Sequence, residues 1–412
     1  MTKVICPCCP AVPGPAGLPE EPTVGLSEEE MTWTDGKHLD LGHPSVLKYL
    51  DKDLQNDSTY VQKLATNYGC CSTFKILSDE GVRAMDLAVD SIEKYAVCSP
   101  RIPKVLRGGT FRSKFLNGMA HSQAVLRKVS ELAGCEMIYH PMKIQQLHIN
   151  FKPSDEGNQD DGTRKKNVDR WHCDTTPFVL IVFATNPDEY TGGALQYFNG
   201  PREEGIELLG SGKGLPADRV LNVGRQEKGY GVFMQGWRVF HQVTPVLTGD
   251  SRTTLVYSFQ PRNVLALEAC LHLSQTYNKV DPLHIFLSDW ARYRAWKTVR
   301  RFEICTEHWG TLLQQPQANA LSTAITESTA KMTSIVHKLP YTDDRELMRL
   351  ALEEGIAALR VLLLTMSDTD CTLDKKFVES PYGLPNLRAA LVDIANCAED
   401  IVTLKDTTMM YF

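Results

Sequence analysis

The chain has 412 residues, 42% of them apolar and 23% charged, a composition that excludes a disordered or fibrous protein and supports one large core or two modest ones. Its formal net charge of -6 lacks the basic excess that draws proteins to phosphate backbones or anionic lipid, which disfavours a nucleic-acid substrate. Twelve scattered cysteines, an N-terminus without a basic and apolar signal pattern, and no apolar run near the roughly 20 residues of a membrane helix lead us to expect a cytoplasmic protein with reduced thiols.

Residues 1–25 are rich in proline and glycine and read as a flexible leader. Its Cys6, Cys8 and Cys9 lack the further Cys or His cluster that a tetrahedral metal site wants. From 44 to 134 the apolar spacing is mostly helical, as in Val46, Leu47 and Leu50 and later Leu126, Val129 and Leu132. One strand is expected over 72–77, with Ser78-Asp79-Glu80 capping the helix that follows. Between about 142 and 261 the texture changes to short β-rich runs broken by Gly, Pro, Asn and Asp. Strands are predicted over 144–151, 178–184, 194–198, 230–234, 239–246 and 252–260, with a polar loop over 153–170. Beyond 261 the spacing predicts helices over 264–275, 283–303, 319–337 and 345–365. The expected fold is therefore a mainly β core, a double-stranded β-helix of the jelly-roll or cupin kind, with flanking N- and C-terminal α-helices. The main domain would span 26–263, with its barrel core over about 142–261. A helical extension over 264–412 would pack on the barrel, a separately folding C-terminal domain being the alternative.

His-x-Asp occurs twice, which shows how easily chance produces it. His38-Leu39-Asp40 sits in a glycine-rich stretch with no flanking strand and reads as surface or capping. Trp171-His172-Cys173-Asp174 is followed at once by a buried apolar run, and strand alternation sets His172 and Asp174 on one face and Cys173 on the other. His241, in Phe240-His241-Gln242-Val243-Thr244-Pro245-Val246, is the candidate third ligand. Two histidines and one carboxylate supply half the octahedron of iron(II) and leave room for a bidentate co-substrate and dioxygen. Arg252 follows a turn at Thr248-Gly249-Asp250 and opens a strand of apolar and hydroxyl residues. A guanidinium fork there suits the distal carboxylate of 2-oxoglutarate, a bidentate geometry that Lys cannot copy. Thr254 shares its face and adds a hydroxyl donor.

Over 145–261 these residues, with Gly192-Gly193 ahead of a strand, resemble the iron(II)/2-oxoglutarate-dependent oxygenases. The segment Gln146-Leu147-His148-Ile149-Asn150-Phe151-Lys152-Pro153 ahead of Trp171-His172 is similar to the phytanoyl-CoA hydroxylase and ectoine hydroxylase-like branch. That resemblance implies that Asn150 contacts 2-oxoglutarate and Gln146 faces substrate. Alternation agrees, since Gln146, His148, Asn150 and Lys152 would share one face. His148 and Trp171 join Gln146 as expected substrate contacts, although a lone strand histidine or tryptophan often serves packing. The resemblance further implies Fe(II), 2-oxoglutarate and O2, with ascorbate in support, and release of succinate and CO2. The implied reaction oxidises an unactivated C–H bond of a small amino-acid-like metabolite by hydroxylation, desaturation or oxidative cyclisation. The carboxylate at Asp174 leaves no position for a halide, so halogenation is not expected. The whole-chain layout is also similar to kainoid synthase-type enzymes of specialised metabolism, which close a pyrrolidine ring on a prenylated glutamate. A catalytically silent or protein-modifying member of the fold is the alternative. The expected partner is a small molecule, with no nucleic acid or membrane, in a monomer or homodimer. The basic stretch Arg292, Arg294, Lys297, Arg300 and Arg301 reads as a solvated helix face, with an anionic-substrate or dimer contact as the sharper alternative. Cys70 and Cys71 read as small buried apolar side chains.

Overall fold

The computed structural model describes residues 32–50, 64–97, 104–151, 159–160, 164–165, 167–249, 252–266, 281, 283–310, 315–339, 341, 344–368 and 384–403. Cys6, Cys8, Cys9, Lys152, Pro153 and most of the helix expected over 264–275 lie outside them. The described residues group into two compact units, one over 32–263 and one over 264–266 and 281–403.

The first unit begins with β1 (Leu47–Tyr49), β2 (Tyr68–Cys71), β3 (Phe74–Lys75), α1 (Asp79–Ile92), β4 (Lys104–Arg107), α2 (Lys114–Met119), α3 (Gln123–Ala133) and β5 (Met137–Tyr139). It continues with β6 (Leu147–Phe151), β7 (Asp169–His172), β8 (Phe178–Phe183), β9 (Leu195–Phe198), α4 (Arg202–Gly210), β10 (Val220–Asn222), β11 (Tyr230–Met234), β12 (His241–Val243) and β13 (Thr254–Pro261). The large sheet runs β1-β2-β11-β8-β13-β6-β4, with β3 on β11 and β5 on β13, and the small sheet runs β10-β9-β12-β7. From β6 to β13 the chain passes back and forth between the two antiparallel sheets. This winding is the expected double-stranded β-helix.

β8 shows why two sheets are required. All six of its residues are buried, which a strand achieves only when both of its faces are covered. Phe178, Leu180 and Val182 pack outward with Ile149, Tyr257 and Phe259 against the helical residues Met85, Val89 and Val129. Val179, Ile181 and Phe183 pack inward with Val232, Met234 and Val256 against Leu195, Tyr197 and Val239, which come from the small sheet and its connections. Each of these side chains contributes about 1.5–3 kcal/mol when fully buried.

Several expected boundaries shift. Val46, Leu47 and Leu50 do not lie on a helix: Leu47 and Lys48 pair with Cys71 and Cys70, and three apolar residues are too short a pattern to resist sheet pairing. The strand expected over 72–77 divides, with β2 before Ser72 and only Phe74–Lys75 after it. The first barrel strand starts at Leu147 because Lys143–Gln145 forms a 3-10 turn. The strand expected over 239–246 shortens to β12, and Val246–Thr248 pairs instead with Thr191–Gly192. The His38-Leu39-Asp40 copy divides: Asp40 is exposed, whereas His38 is buried and its Nδ1 accepts from the amide of Thr34, the residue that opens the short helix Asp35–His38. The cysteines do behave as small apolar groups: Cys70 and Cys71 are buried, and burial pushes the Cys70 thiol up to about 12.

The second unit packs α5 (Leu283–Gly310), α6 (Gln315–Lys338), α7 (Arg345–Asp368) and α8 (Leu384–Thr403) around buried residues such as Trp290, Phe302, Met332, Leu359 and Ile394. α8 was not expected from the sequence pattern. The basic stretch is not a solvated face. Lys297 and Arg301 are buried, Arg301 binds Asp393 at 2.9 Å, Arg294 reaches the Asp393 carbonyl, and Arg292 bonds the Leu339 carbonyl and Asp289. Among the described residues no helix is long and apolar enough to cross a membrane.

The cap of α1 is as expected. Ser78 Oγ accepts from the Gly81 amide at 3.1 Å and donates to the Lys37 carbonyl at 2.6 Å, so one hydroxyl joins the helix to the preceding segment. Ser78→Ala should lower stability by about 1 kcal/mol, read as a lower thermal midpoint. An unchanged midpoint would show that the hydroxyl does not anchor the helix.

Candidate metal centre

His172 ends β7, His241 opens β12, and the two are direct partners across the antiparallel pair. Their ring centroids are 4.2 Å apart. Each ring is fixed by a carbonyl two residues earlier: His172 Nδ1–H donates to the Arg170 carbonyl at 2.6 Å, and His241 Nδ1–H donates to the Val239 carbonyl, just before β12, at 2.8 Å. A donor bond at Nδ1 sets the tautomer and leaves the Nε2 lone pair for a ligand. Asp174 lies just beyond β7, where its amide donates to the Gly236 carbonyl at 2.9 Å. Its Oδ1 is 3.4 Å from His172 Nε2 and its Oδ2 is 3.8 Å from His241 Nε2. One ligand atom from each of the three lies within 4.8 Å of the others. Neighbouring donors on a metal with bonds of about 2.1 Å sit roughly 3 Å apart, so the three need only a small contraction to share an ion.

Burial and the adjacent His172 push the His241 imidazole down to about 4 against the pull of Asp174. It is neutral at pH 7, the form a metal requires. Gly236 is imposed by proximity, because a Cβ there would lie 2.1 Å from Asp174 Oδ2.

Arg252 is buried, at 2% exposure. Its Nε donates to the Gly193 carbonyl at 2.9 Å, one terminal nitrogen reaches Gln226 Oε1 at 3.3 Å, and Tyr190 also bonds it. Burial draws the guanidinium below its usual range while Tyr190 and Asp169 hold it up, and arginine stays charged regardless. Gly193 has φ +61°, and a Cβ on it would stand 2.8 Å from Arg252 Cδ, so glycine is needed where the chain crosses this side chain, while a Cβ on Gly192 would instead meet the Pro245 carbonyl at 2.1 Å.

Thr254 pairs with Asn150, and Val256 with His148, across β13 and β6. Leu147, Ile149, Leu255 and Tyr257 belong to the outer core, so alternation turns His148, Asn150, Thr254 and Ser258 inward. Gln146 precedes the strand, with α-type backbone angles, and strand parity does not govern it. It is buried, with Nε2 donating to the His140 carbonyl at 3.1 Å. Trp171 lies against Phe240, with ring centroids 5.2 Å apart.

Asp169, Tyr190, Gln226 and Gly236 were not singled out in the sequence. Asp169 is the most consequential. His241 faces His172 while Val243 faces Asp169, so β7 holds one more residue than β12 over this stretch. Such a bulge re-aims side chains. Asp169 is buried where strict alternation would turn Arg170 inward, and Arg170 is exposed. Asp169 Oδ2 ends 3.5 Å from His172 Nε2.

No family model matches the chain, and no curated protein matches it. Among solved structures it is similar to SnoK, a non-heme alpha-ketoglutarate-dependent carbocyclase from nogalamycin biosynthesis, with 16% identity over 53% of this chain and 87% of that one and a TM-score of 0.36. It is also similar to HygX from Streptomyces hygroscopicus with nickel, 2-oxoglutarate and hygromycin B bound, at 12% identity, 57% and 95% coverage and TM-score 0.34. A third is a prolyl-4-hydroxylase from Pseudomonas putida, at 14% identity, 44% and 86% coverage and TM-score 0.30.

The depressed His241 value gives the metal-free protein a pH signature. The unfolded chain takes up this proton near 6.5, the fold only near 4. Stability from this group is therefore intact above pH 6.5 and falls progressively toward pH 4, by on the order of 3 kcal/mol. The thermal midpoint of metal-free protein should drop over that window, and His241→Asn should flatten the drop. An equal slope in the variant would remove His241 as its source.

Proposed function

We propose that the chain is a non-haem iron(II), 2-oxoglutarate-dependent oxygenase. The observation that carries the reading is the convergence of two imidazole Nε2 atoms, each fixed by an Nδ1–H bond to a carbonyl, on the carboxylate of Asp174. His172, Asp174 and His241 would hold Fe(II) and leave positions on one side open. When bound, the iron supplies activation of O2 coupled to decarboxylation of 2-oxoglutarate.

The chain's own groups bind and orient. Arg252 offers its guanidinium to the distal carboxylate of the co-substrate, a charge-assisted contact in a buried setting. Thr254 and Asn150, paired across β13 and β6, flank it with a hydroxyl and an amide. Burial of Arg252 and Thr254 keeps water from competing for the carboxylate. Within the superfamily the strand carrying His148 and Asn150, with Gln146 just before it, favours the phytanoyl-CoA hydroxylase and ectoine hydroxylase-like branch, with Gln146, His148 and Trp171 as its candidate substrate contacts. Neutral amide, imidazole and hydroxyl groups on the inner face suit a small, polar, amino-acid-like metabolite, oxidised by hydroxylation, desaturation or kainoid-type cyclisation. The basic stretch of α5 is bonded within its own helices, which weighs against its serving a substrate with several carboxylates.

The deciding measurement is anaerobic titration of the full chain with iron(II) and 2-oxoglutarate. A weak visible metal-to-ligand charge-transfer band should appear when the 2-oxo acid chelates the iron, and His241→Ala should abolish it while the protein stays folded. Absence of the band in metal-loaded protein would overturn the proposal. In the same titration Arg252→Lys should raise the half-saturating 2-oxoglutarate concentration by about 10–100-fold, the worth of a lost charged hydrogen bond. An unchanged value would mean that another residue anchors the co-substrate.

A further inference from the structure

We infer that Gln226 is a second anchor of the co-substrate: its amide oxygen holds the Arg252 guanidinium, and its amide nitrogen donates to the same distal carboxylate that Arg252 grips. The inference rests on the iron and 2-oxoglutarate reading above and adds to that site a residue that no motif of the chain marks.

The connection between β10 and β11 places the residue. Gly224 and Arg225 are exposed and Glu227 and Lys228 half-buried, while Gln226 between them is turned in, at 8% exposure. The backbone is tied down on both sides of it. The Thr73 amide donates to the Val223 carbonyl at 3.1 Å, and the Gly229 amide donates to the Phe183 carbonyl at 2.8 Å. Lys228 pairs with Asp86 at 2.7 Å and Arg225 with Asp188 at 2.9 Å. The chain around Gln226 is thus held independently of its side chain, whose own bond runs from a terminal nitrogen of Arg252 to Gln226 Oε1 at 3.3 Å.

Arginine has only donors, so the amide atom that meets it must be the oxygen. This fixes the orientation of the amide and leaves the N–H donors of Nε2 beside the guanidinium. Among the described residues nothing accepts from Nε2. A carboxamide buried with its donor half unused carries a desolvation cost, which a bound anion removes. Arg252 stands in a similar condition. Its Nε–H goes to the Gly193 carbonyl and one terminal N–H to Gln226, with Tyr190 also bonded, and a guanidinium carries more N–H donors than these three partners take. Unused donors of both side chains therefore lie next to each other, and a carboxylate, with an oxygen for each, is the acceptor that suits the pair. A 2-oxo acid that ends in a methyl group offers nothing to either.

The test uses the full chain loaded anaerobically with iron(II) and follows the charge-transfer band as either 2-oxoglutarate or 2-oxopentanoate is added, the latter carrying a methyl group in place of the distal carboxylate. Gln226→Met, similar in size and without hydrogen-bonding groups, should raise the half-saturating 2-oxoglutarate concentration about tenfold or more, the worth of a hydrogen bond to a charged group, and leave that of 2-oxopentanoate unchanged. Gln226→Glu keeps an acceptor toward Arg252 but replaces the N–H donors with a negative charge, and should raise the 2-oxoglutarate value further than the Met variant does. In an Arg252→Lys background Gln226→Met should still weaken 2-oxoglutarate, because its own donor is lost, whereas a residue that only held the guanidinium would have no further effect there. Equal weakening of both 2-oxo acids, an unchanged 2-oxoglutarate value in the folded variants, or no added loss in the Arg252→Lys background would overturn the inference while leaving the iron and 2-oxoglutarate reading intact. Loss of folding in both the Met and Glu variants would also overturn it, by making Gln226 structural. Absence of the band in the wild-type protein would instead remove the reading on which the inference stands.

Discussion

The site depends on two short hydrogen bonds, from the Nδ1–H groups of His172 and His241 to carbonyls two residues earlier in the chain. Without them the imidazoles are free to rotate or to exchange tautomers, and no lone pair is committed to the interior. A regular antiparallel ladder spends its carbonyls on the neighbouring strand. The bulge between β7 and β12 places an extra residue outside that pairing, and the carbonyl of Arg170 serves the ring instead. On the other strand the turn through Gly236 to Val239 delivers the Val239 carbonyl just before β12 begins. One irregularity on each strand thus leaves a pair of imidazoles with their Nε2 atoms toward the Asp174 carboxylate. The same bulge that frees a carbonyl also turns Asp169 into the interior, so the fixing of the ring and the burial of this carboxylate have a common backbone origin.

A buried guanidinium raises the opposite problem, since a charge taken out of water is costly unless it is bonded. Arg252 solves it with neutral acceptors: the Gly193 carbonyl, the Gln226 amide oxygen and Tyr190. These neutral partners bond the N–H groups, while Asp169 acts on the guanidinium as an opposite charge. The backbone bends to permit this. Gly193 adopts a positive φ under the side chain, and any Cβ there would strike it, while Gly236 clears the Asp174 carboxylate in the same manner. Both glycines exist for close approach rather than for flexibility, and both lie in the short connections that bring the small sheet onto the large one.

Much of this was legible in the sequence because two signals coincide there. The apolar run of β8 marks a strand covered on both faces, and the alternation of β6 and β13 separates a polar inner set from an apolar outer one. That His172, Asp174 and His241 gather and that Arg252 is buried agree with a reading in which carboxylate, imidazole and guanidinium on strands of otherwise apolar residues have few structural reasons to be there. What was not legible depends on pairing. Asp169 faces inward only because β12 opposes it out of register, and a bulge leaves no mark in a pattern of alternating residues. Gln226 and Tyr190 reach Arg252 from distant connections that carry no motif. The three apolar residues at Val46, Leu47 and Leu50 fit a helical spacing as well as a strand, and pairing with β2 decided between them. The basic stretch of α5 was misjudged for a related reason: its acceptors, Asp393 and the Leu339 carbonyl, come from elements far along the chain.

The two copies of His-x-Asp isolate what the motif requires. At His38 the ring sits in a short helix, its Nδ1 accepts from the Thr34 amide at 3.0 Å, and it packs edge-on against Phe115 with centroids 5.1 Å apart. Asp40 turns outward to Lys75 at 2.7 Å. An acceptor at Nδ1 puts any proton on Nε2, the reverse of the tautomer at His172, so this histidine has no inward lone pair to offer even though its neighbours in sequence match. Spacing of residues alone is therefore empty of chemistry here. The copy at His172 differs in its setting: a strand ends on the histidine, a carbonyl two residues earlier takes its Nδ1–H, and a second strand presents another imidazole in register across the sheet.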